Sequence, residues 1–473
     1  MLSCLLLGSV SLEAGTFVVN PSKRLQRLEG WGVSLCWWAG QAGKWSEAKI
    51  DSVVEWLASK DGLNYNVFRY NIPGGDDPLN RNCDLHHMEH GKGLRAEMEG
   101  FKRSPEADYD WTADAAQRRV MLLIKKKRPD AIFEAFSNTP PYFMTVSGCA
   151  AGNKEAGRDN LRKDQYEAFA DYLIDCCLHY KEKYGIEFHS LEPFNEPNTD
   201  YWPCNGSQEG CHFDIQSMMD FIKVLSPKLK ASGLKTHLSA SDETSVMLSV
   251  KSLEAFRKAP SVLPSLRQWN THTYSATPES RVQLRLLARQ TGLPLWMSET
   301  GEFGGKGLNG NLKLSQRLMD DIKQMQPVVW CDWQALEDKN DQWCTIRGDY
   351  GGKSFRRIKN YYVRRQVTHF IRQGYTFLDA GDEHTLTAIS PNGKTLVIVS
   401  QNNGESPVDY TADLAPFKRV GKTAKNWLTD QTSDCREQPP VTIDGKKFSY
   451  CLQPQSIRTF IIKVKEPFRP KKS

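Results

Sequence analysis

From about Leu28 to Leu336, eight short apolar runs alternate with longer amphipathic segments. The runs are LEGWGVSLC, NVFRYNI, AIFEAFS, FHSLEPFN, KTHLSAS, QWNTHTY, PLWMSE and PVVWCDWQ. Strands alternating with helices imply parallel strands joined by crossover helices, and eight such units close into an α/β (β/α)8 TIM barrel. The rival is an open doubly wound sheet. No glycine-rich phosphate fingerprint follows the first run, and Gly301, Gly304 and Gly305 after the seventh lack the G-x-G-x-x-G spacing. The barrel is therefore expected.

The intervening segments carry helical periodicity. Tyr166, Phe169, Ala170, Leu173, Cys177 and Tyr180 share one face, and Gly185 stands where a C-cap belongs. A second helix is expected from Pro278 to Gly292, and a third near Ser46–Ser59. After about Lys359 the pattern changes to short alternating strands, with a hairpin through Asn392-Gly393, which predicts a C-terminal antiparallel β-sandwich side domain. The expected divisions are 1–14 a truncated signal peptide, 15–27 an N-terminal strand joining the side domain, 28–358 the barrel and 359–473 the sandwich.

With 473 residues, a large barrel and a smaller domain fit the length. A net charge of +6 is too small over this length to imply nucleic acid. The N-terminal stretch MLSCLLLGSVSLEAG has a secretory-type apolar run without a basic leader, and Cys4 is a candidate lipid-attachment cysteine. The expected location is secreted, periplasmic or cell-surface. No later run approaches 18 apolar residues, so no transmembrane segment is expected. Among twelve cysteines, Cys204 with Cys211, Cys331 with Cys344 and Cys435 with Cys451 are closely spaced and none has C-x-x-C zinc spacing; for an exported chain some of these are candidate disulfides, Cys204 with Cys211 first among them.

In such a barrel the C-terminal strand ends face the active site. Glu196 ends the fourth run and Glu299 the seventh, on opposite sides of the mouth. Two facing carboxyls are what glycoside hydrolysis needs: one protonates the leaving oxygen, and the other attacks the anomeric carbon or activates water. Asn195 can bond a sugar hydroxyl beside that carbon. Trp38 and Trp202 sit just past strand ends and are candidate sugar-stacking platforms, with plain core packing as the alternative.

LEPFNEP, WMSETG and VVWCDWQAL, read with NVFRYNIPGGDD and GWGVSLCWWAG, resemble glycoside hydrolase family 30 over nearly the whole chain. The resemblance implies a retaining enzyme, with Glu196 as acid/base and Glu299 as nucleophile. It implies Arg69 beneath the nucleophile, Tyr274 and its neighbour His272 from THTY as supporting residues, and Asp76 and Trp333 at the first sugar subsite. Asn138 departs from the tryptophan that many relatives carry before the proline motif. GWGVSLCWWAG resembles the branch that cleaves internal β-1,6-galactan linkages, so the implied substrate is the β-1,6-galactan of arabinogalactan side chains. No cofactor or metal and a monomeric state are expected. Other activities of the family stay open at this point: β-1,6-glucanase, glucosylceramidase or xylanase-like.

Two readings come from other classes. HHMEH, His86 to His90, matches a zinc-peptidase pattern, but Gly91 and Gly93 interrupt the helix that ligation needs. His212, beside Cys211, reads as a loop residue rather than a ligand. A catalytically silent carbohydrate-binding protein is the other rival, and it does not account for the presence of both carboxylates and Arg69.

Overall fold

The computed structural model describes residues 13–77, 79, 96, 98–301, 305 and 307–466. The eight runs become eight parallel strands: Gly30–Ser34, Val67–Asn71, Ile132–Phe136, Ser190–Glu192, His237–Ser245, Leu266–Ser275, Leu295–Thr300 and Val329–Asp332. They close in chain order, the eighth pairing with the first through Val329 opposite Gly30 and Trp330 opposite Trp31. Closure buries both faces of each strand, and alternate side chains then have two different destinations. Phe68 and Tyr70 face the helical layer, where Tyr70 stacks on Phe188. Arg69, between them, belongs to the polar barrel interior with Glu134, its register partner on the next strand.

The helix Tyr166–Tyr184 buries the expected face, and Gly185 ends it at φ 63, donating its N–H to the Lys181 carbonyl. Pro278–Thr291 begins with a capping box between Thr277 and Ser280 and ends at Gly292. Each cap satisfies backbone groups that the helix cannot pair within itself.

Two sheets form the side sandwich. One has seven strands, including Thr385–Ile389, Thr395–Asn402, Arg419–Thr429 and Ser456–Lys465. The other joins Glu13–Val18, Val408–Asp413 and Lys447–Leu452. Phe17, Leu396, Ile398, Tyr410, Phe448 and Phe460 are buried in one cluster of this sandwich. Arg24–Arg27 adds an edge strand to the larger sheet, so the segment preceding the barrel contributes to both sheets.

Two features differ from the sequence pattern. The chain after Lys359 first forms a helix, Lys359–Thr368, because Asn360, Val363, Arg364 and Val367 make a helical face that is buried. Arg364 then clamps Asp332 of the eighth strand with bonds of 2.7 and 2.8 Å. A small sheet of Leu336–Asp338, Ile346–Asp349 and Ser354–Arg357 follows the eighth strand. Among the described residues no helix is long and apolar enough to cross a membrane.

The expected Cys204–Cys211 pair is absent, since both are free thiols, as are Cys331, Cys344, Cys435 and Cys451. The two ends of this loop pair with different parts of a neighbouring one: Cys204 N–H bonds Asn153, while the His212 carbonyl accepts from Asn160. Cys149 is disulfide-bonded. The signal-peptide residues before Glu13 and the histidines of HHMEH lie outside the described residues.

Candidate active site

Glu196 follows the fourth strand in a left-handed backbone conformation, φ 46, which costs a non-glycine residue on the order of 1 kcal/mol or more. Three contacts hold it there. Its N–H donates to the Asp242 carbonyl at 2.9 Å, and its own carbonyl accepts from Trp202 Nε1 at 3.0 Å and from Thr199 Oγ1 at 2.9 Å. Asp242, at φ 58 on the fifth strand, is likewise left-handed. Glu299 needs no such device, because it lies within the extended backbone of the seventh strand.

One carboxylate oxygen from each glutamate and a ring nitrogen of His272 all lie within 4.8 Å of one another. His272 Nδ1 is 3.1 Å from Glu196 Oε1 and 3.9 Å from Glu299 Oε1, while its Nε2 is 3.2 Å from Asp242. Tyr274 donates to Glu299 Oε1 at 2.9 Å. Arg69 Nη1 lies 3.6 Å from Glu299 Oε2, and its other nitrogens bond Glu134 at 2.8 Å and Asp242 at 2.6 Å. Glu134 also accepts from Ser190, Gln268 and Asn270, so the guanidinium rests on a hydrogen-bonded floor.

Burial sets the charges of this cluster, and specific partners correct it. Burial pushes the Glu299 carboxyl up to about 7; His272 and Arg69 pull it down, and the Glu196 charge adds to the rise. Burial opposes the charge on His272, yet Asp242 and Glu299 raise its pKa well above the usual histidine range. Burial likewise works against ionised Asp242, but Arg69 and His272 hold its carboxyl well below the usual range. Burial pushes the Glu192 carboxyl well up, the Asp242 and Glu134 charges add to the rise, and Arg69 only partly offsets it.

The cleft above them has a volume of about 1320 Å³ and is lined by Tyr201, Trp202, Tyr274, Trp333 and Trp343, with Glu337 and Asp338 from the small sheet. Trp333 meets Trp37 edge to face at 6.4 Å. Asn195 is 6% exposed, and its Oδ1 has no hydrogen-bond partner among the described residues. Asp76 is buried in the loop after the second strand, where its Oδ1 accepts from Ala150 N–H at 3.2 Å. Glu209 anchors that loop through Gly74 and Gly75 N–H. Gly75 has φ 77, and a Cβ there would come within 2.5 Å of Gly100, so glycine is required.

Two expected positions are corrected. Trp38 is fully buried and donates Nε1 to the Ser34 carbonyl at 2.9 Å. The chain turns directly into the helix Trp38–Ala42 after the first strand, which directs the indole into the core instead of the cleft. Trp38→Ala should therefore lower stability by about 3–5 kcal/mol, as for other buried aromatic truncations, measured by urea unfolding. A loss under about 1 kcal/mol accompanied by weakened sugar binding would restore the platform reading. Asn138 is also buried, and its Nδ2 is engaged by Asn71 at 3.1 Å and Cys36 at 3.7 Å. It braces the first three strand ends and is not among the cleft-lining residues.

Tyr201 and Asp242 were not read from the sequence. Asp242 carried a signal, a carboxylate near the end of the fifth run, whereas a tyrosine five residues beyond Glu196 carried none. Asp159, His212 and Asp214 also lie close enough to hold an ion, but the Asp159 carboxylate already accepts from Asp214 N–H and Ser217, and His212 contacts the Thr199 carbonyl.

A closed eight-stranded barrel carrying two carboxylates across its mouth, in a cleft walled by aromatic rings, defines a glycoside hydrolase. Residues 14–258 match the model of O-glycosyl hydrolase family 30, and the chain belongs to that family. It is 30% identical over 469 residues to an endo-β-1,6-galactanase of Hypocrea rufa, covering 94% of each chain. It is 24% identical to an exo-β-1,6-galactobiohydrolase of Bifidobacterium longum, covering 89% of this chain and 36% of that longer protein. Among solved structures, a conserved exported protein from Bacteroides fragilis has the same fold, with a TM-score of 0.79 at 17% identity over 94% of this chain and 100% of that one. The family 30 subfamily 8 xylanase Xyn30A of Clostridium acetobutylicum matches at a TM-score of 0.70 and 19% identity, covering 95% and 99%.

Proposed function

We propose that the protein is a retaining endo-glycosidase that cleaves internal β-1,6-galactosidic linkages of galactan and arabinogalactan side chains. The observation that carries the mechanism is the approach of Glu196 and Glu299 oxygens to within 4.8 Å. Retaining pairs stand about 5 to 5.5 Å apart, whereas inverting pairs leave roughly 6.5 to 9.5 Å for a water. Likeness to the Hypocrea rufa galactanase over nearly its full length supports the linkage and the sugar.

In this reading Glu299 attacks the anomeric carbon while Glu196 delivers its proton to the departing glycosidic oxygen. A covalent glycosyl ester forms and the glycosidic C–O bond breaks. Water then attacks the same carbon, Glu196 takes its proton, and Glu299 leaves, so two inversions restore the β configuration. Arg69 and Tyr274 favour the ionised form of Glu299 for the attack, and the reaction calls for a protonated Glu196. Asn195, next to Glu196 in the chain and with a buried amide oxygen that has no partner among the described residues, suits the sugar hydroxyl next to the reacting carbon. Trp202 and Trp333 supply the faces on which pyranose C–H groups pack.

Export is part of the proposal. The Cys149 disulfide supports it, because such bonds persist in oxidising compartments.

Time-resolved digestion tests the substrate. A β-1,6-galactan should give an early ladder of short galactooligosaccharides, with β-1,6-glucan and glucuronoxylan cut at least several-fold more slowly. Galactose released alone from the first minutes, or faster cleavage of the glucan, overturns the assignment while leaving the two-glutamate chemistry intact.

A further inference from the structure

The two oxygens of Glu196 have partners of different kinds. His272 Nδ1 stands at 3.1 Å from Oε1, and the Tyr201 hydroxyl donates to Oε2 at 2.7 Å. His272 is fully buried and is backed by Asp242 at 3.2 Å, so it cannot move aside. Tyr201 comes from the loop after the fourth strand, is 44% exposed, and lines the cleft with its ring edge against Trp202 at 5.0 Å. It can be displaced; His272 cannot.

This asymmetry determines where a proton on Glu196 resides. The neighbouring Asp242 and Glu299 carboxylates keep the His272 ring charged, so Nδ1 is a standing donor to Oε1. A carboxyl hydrogen on Oε1 would face that N–H head on. It belongs on Oε2, where the phenol oxygen accepts it while the cleft is empty. A glycosidic oxygen must reach that same hydrogen, and the attacking water must later surrender a proton to that same oxygen.

Building on the acid/base reading of Glu196, we propose that Tyr201 is a positioning residue: it orients the transferable proton of Glu196 on Oε2 and yields its place first to the glycosidic oxygen, then to the incoming water. When Glu196 is ionised the phenol donates instead, which stabilises the carboxylate. The phenol itself stays protonated, because burial and the adjacent Glu196 raise its pKa. The other titratable groups around Glu196 are His272 and Tyr274 from the sixth strand, Asp242 from the fifth, Glu299 from the seventh, and Arg69 behind that carboxylate. All of these remain in place when only the phenol oxygen is removed.

Tyr201→Phe tests the proposal through its pH profile. In the unmodified enzyme, kcat/KM on galactan should fall on the basic side of its pH profile, where the general acid has lost its proton. Removing a donor to the ionised form raises that pKa, so the basic limb should move up by about 0.5 to 1 pH unit. On galactan kcat should drop roughly 3- to 10-fold with KM little changed, while cleavage of an aryl galactoside with an activated leaving group keeps its rate. An unmoved basic limb, or equal losses on both substrates, overturns the role. Glu196→Gln in the same assay separates the two levels: if that variant keeps both the basic limb and its galactan activity, the acid/base reading falls and takes the tyrosine with it. If Glu196→Gln loses them and Tyr201→Phe shifts nothing, the tyrosine inference alone is wrong.

Discussion

Glu299→Gln is expected to abolish turnover on both galactan and aryl galactosides, by roughly 10⁴-fold or more, the scale on which an enzyme loses rate when its nucleophile is removed. An amide nitrogen or oxygen in that position cannot form the glycosyl ester. The fold should survive, because Arg69 keeps its bonds to Glu134 and Asp242 and the glutamine occupies the same volume. A 2-fluorogalactoside with a good leaving group should label Glu299 in the unmodified enzyme, read by peptide mass spectrometry. Retention of more than a few per cent of activity, or label on another residue, removes Glu299 from the nucleophile's role.

Glu196→Gln should instead divide the substrates. Loss on galactan is expected at about 10²- to 10⁴-fold, the contribution of a general acid to an alcohol leaving group. An activated aryl galactoside needs no proton, so its first step should stay fast while hydrolysis of the intermediate slows, giving a burst of phenol followed by a slow steady state. Azide attacks without base assistance and should restore turnover, releasing a β-azide. Equal losses on the two substrates, or an α-azide product, contradict the assignment. The His272 contact makes this a fair test, because it can still reach the glutamine Oε1 and hold the side chain in place.

How far the sequence led depended on whether a property was local. The eight strands were legible because each is a short apolar run flanked by turn residues, and such a run has few other stable destinations. Glu196 and Glu299 were legible because a strand end in a (β/α)8 barrel has a fixed direction, toward the mouth. Trp38 follows the first strand as closely as Glu196 follows the fourth, yet its backbone enters a helix at once and its indole is buried. Nothing in the residue types distinguishes those two turns. The helix Lys359–Thr368 was missed because Arg364 and Asn360 read as surface residues until Asp332 and the Cys344 carbonyl are brought to them.

By itself the sequence determined the order of strands and helices, the barrel, the sandwich and the two carboxylates that face each other. Those follow from hydrophobic periodicity and chain direction, which act over a few residues. Only the tertiary structure decided the charges. Arg69, Glu134, Asp242, His272 and Glu299 come from five different strands, and removing them from water together makes each ionisation depend on the others. The same closure placed a displaceable tyrosine on one oxygen of Glu196 and a fixed histidine on the other, a distinction of burial that no spacing along the chain encodes.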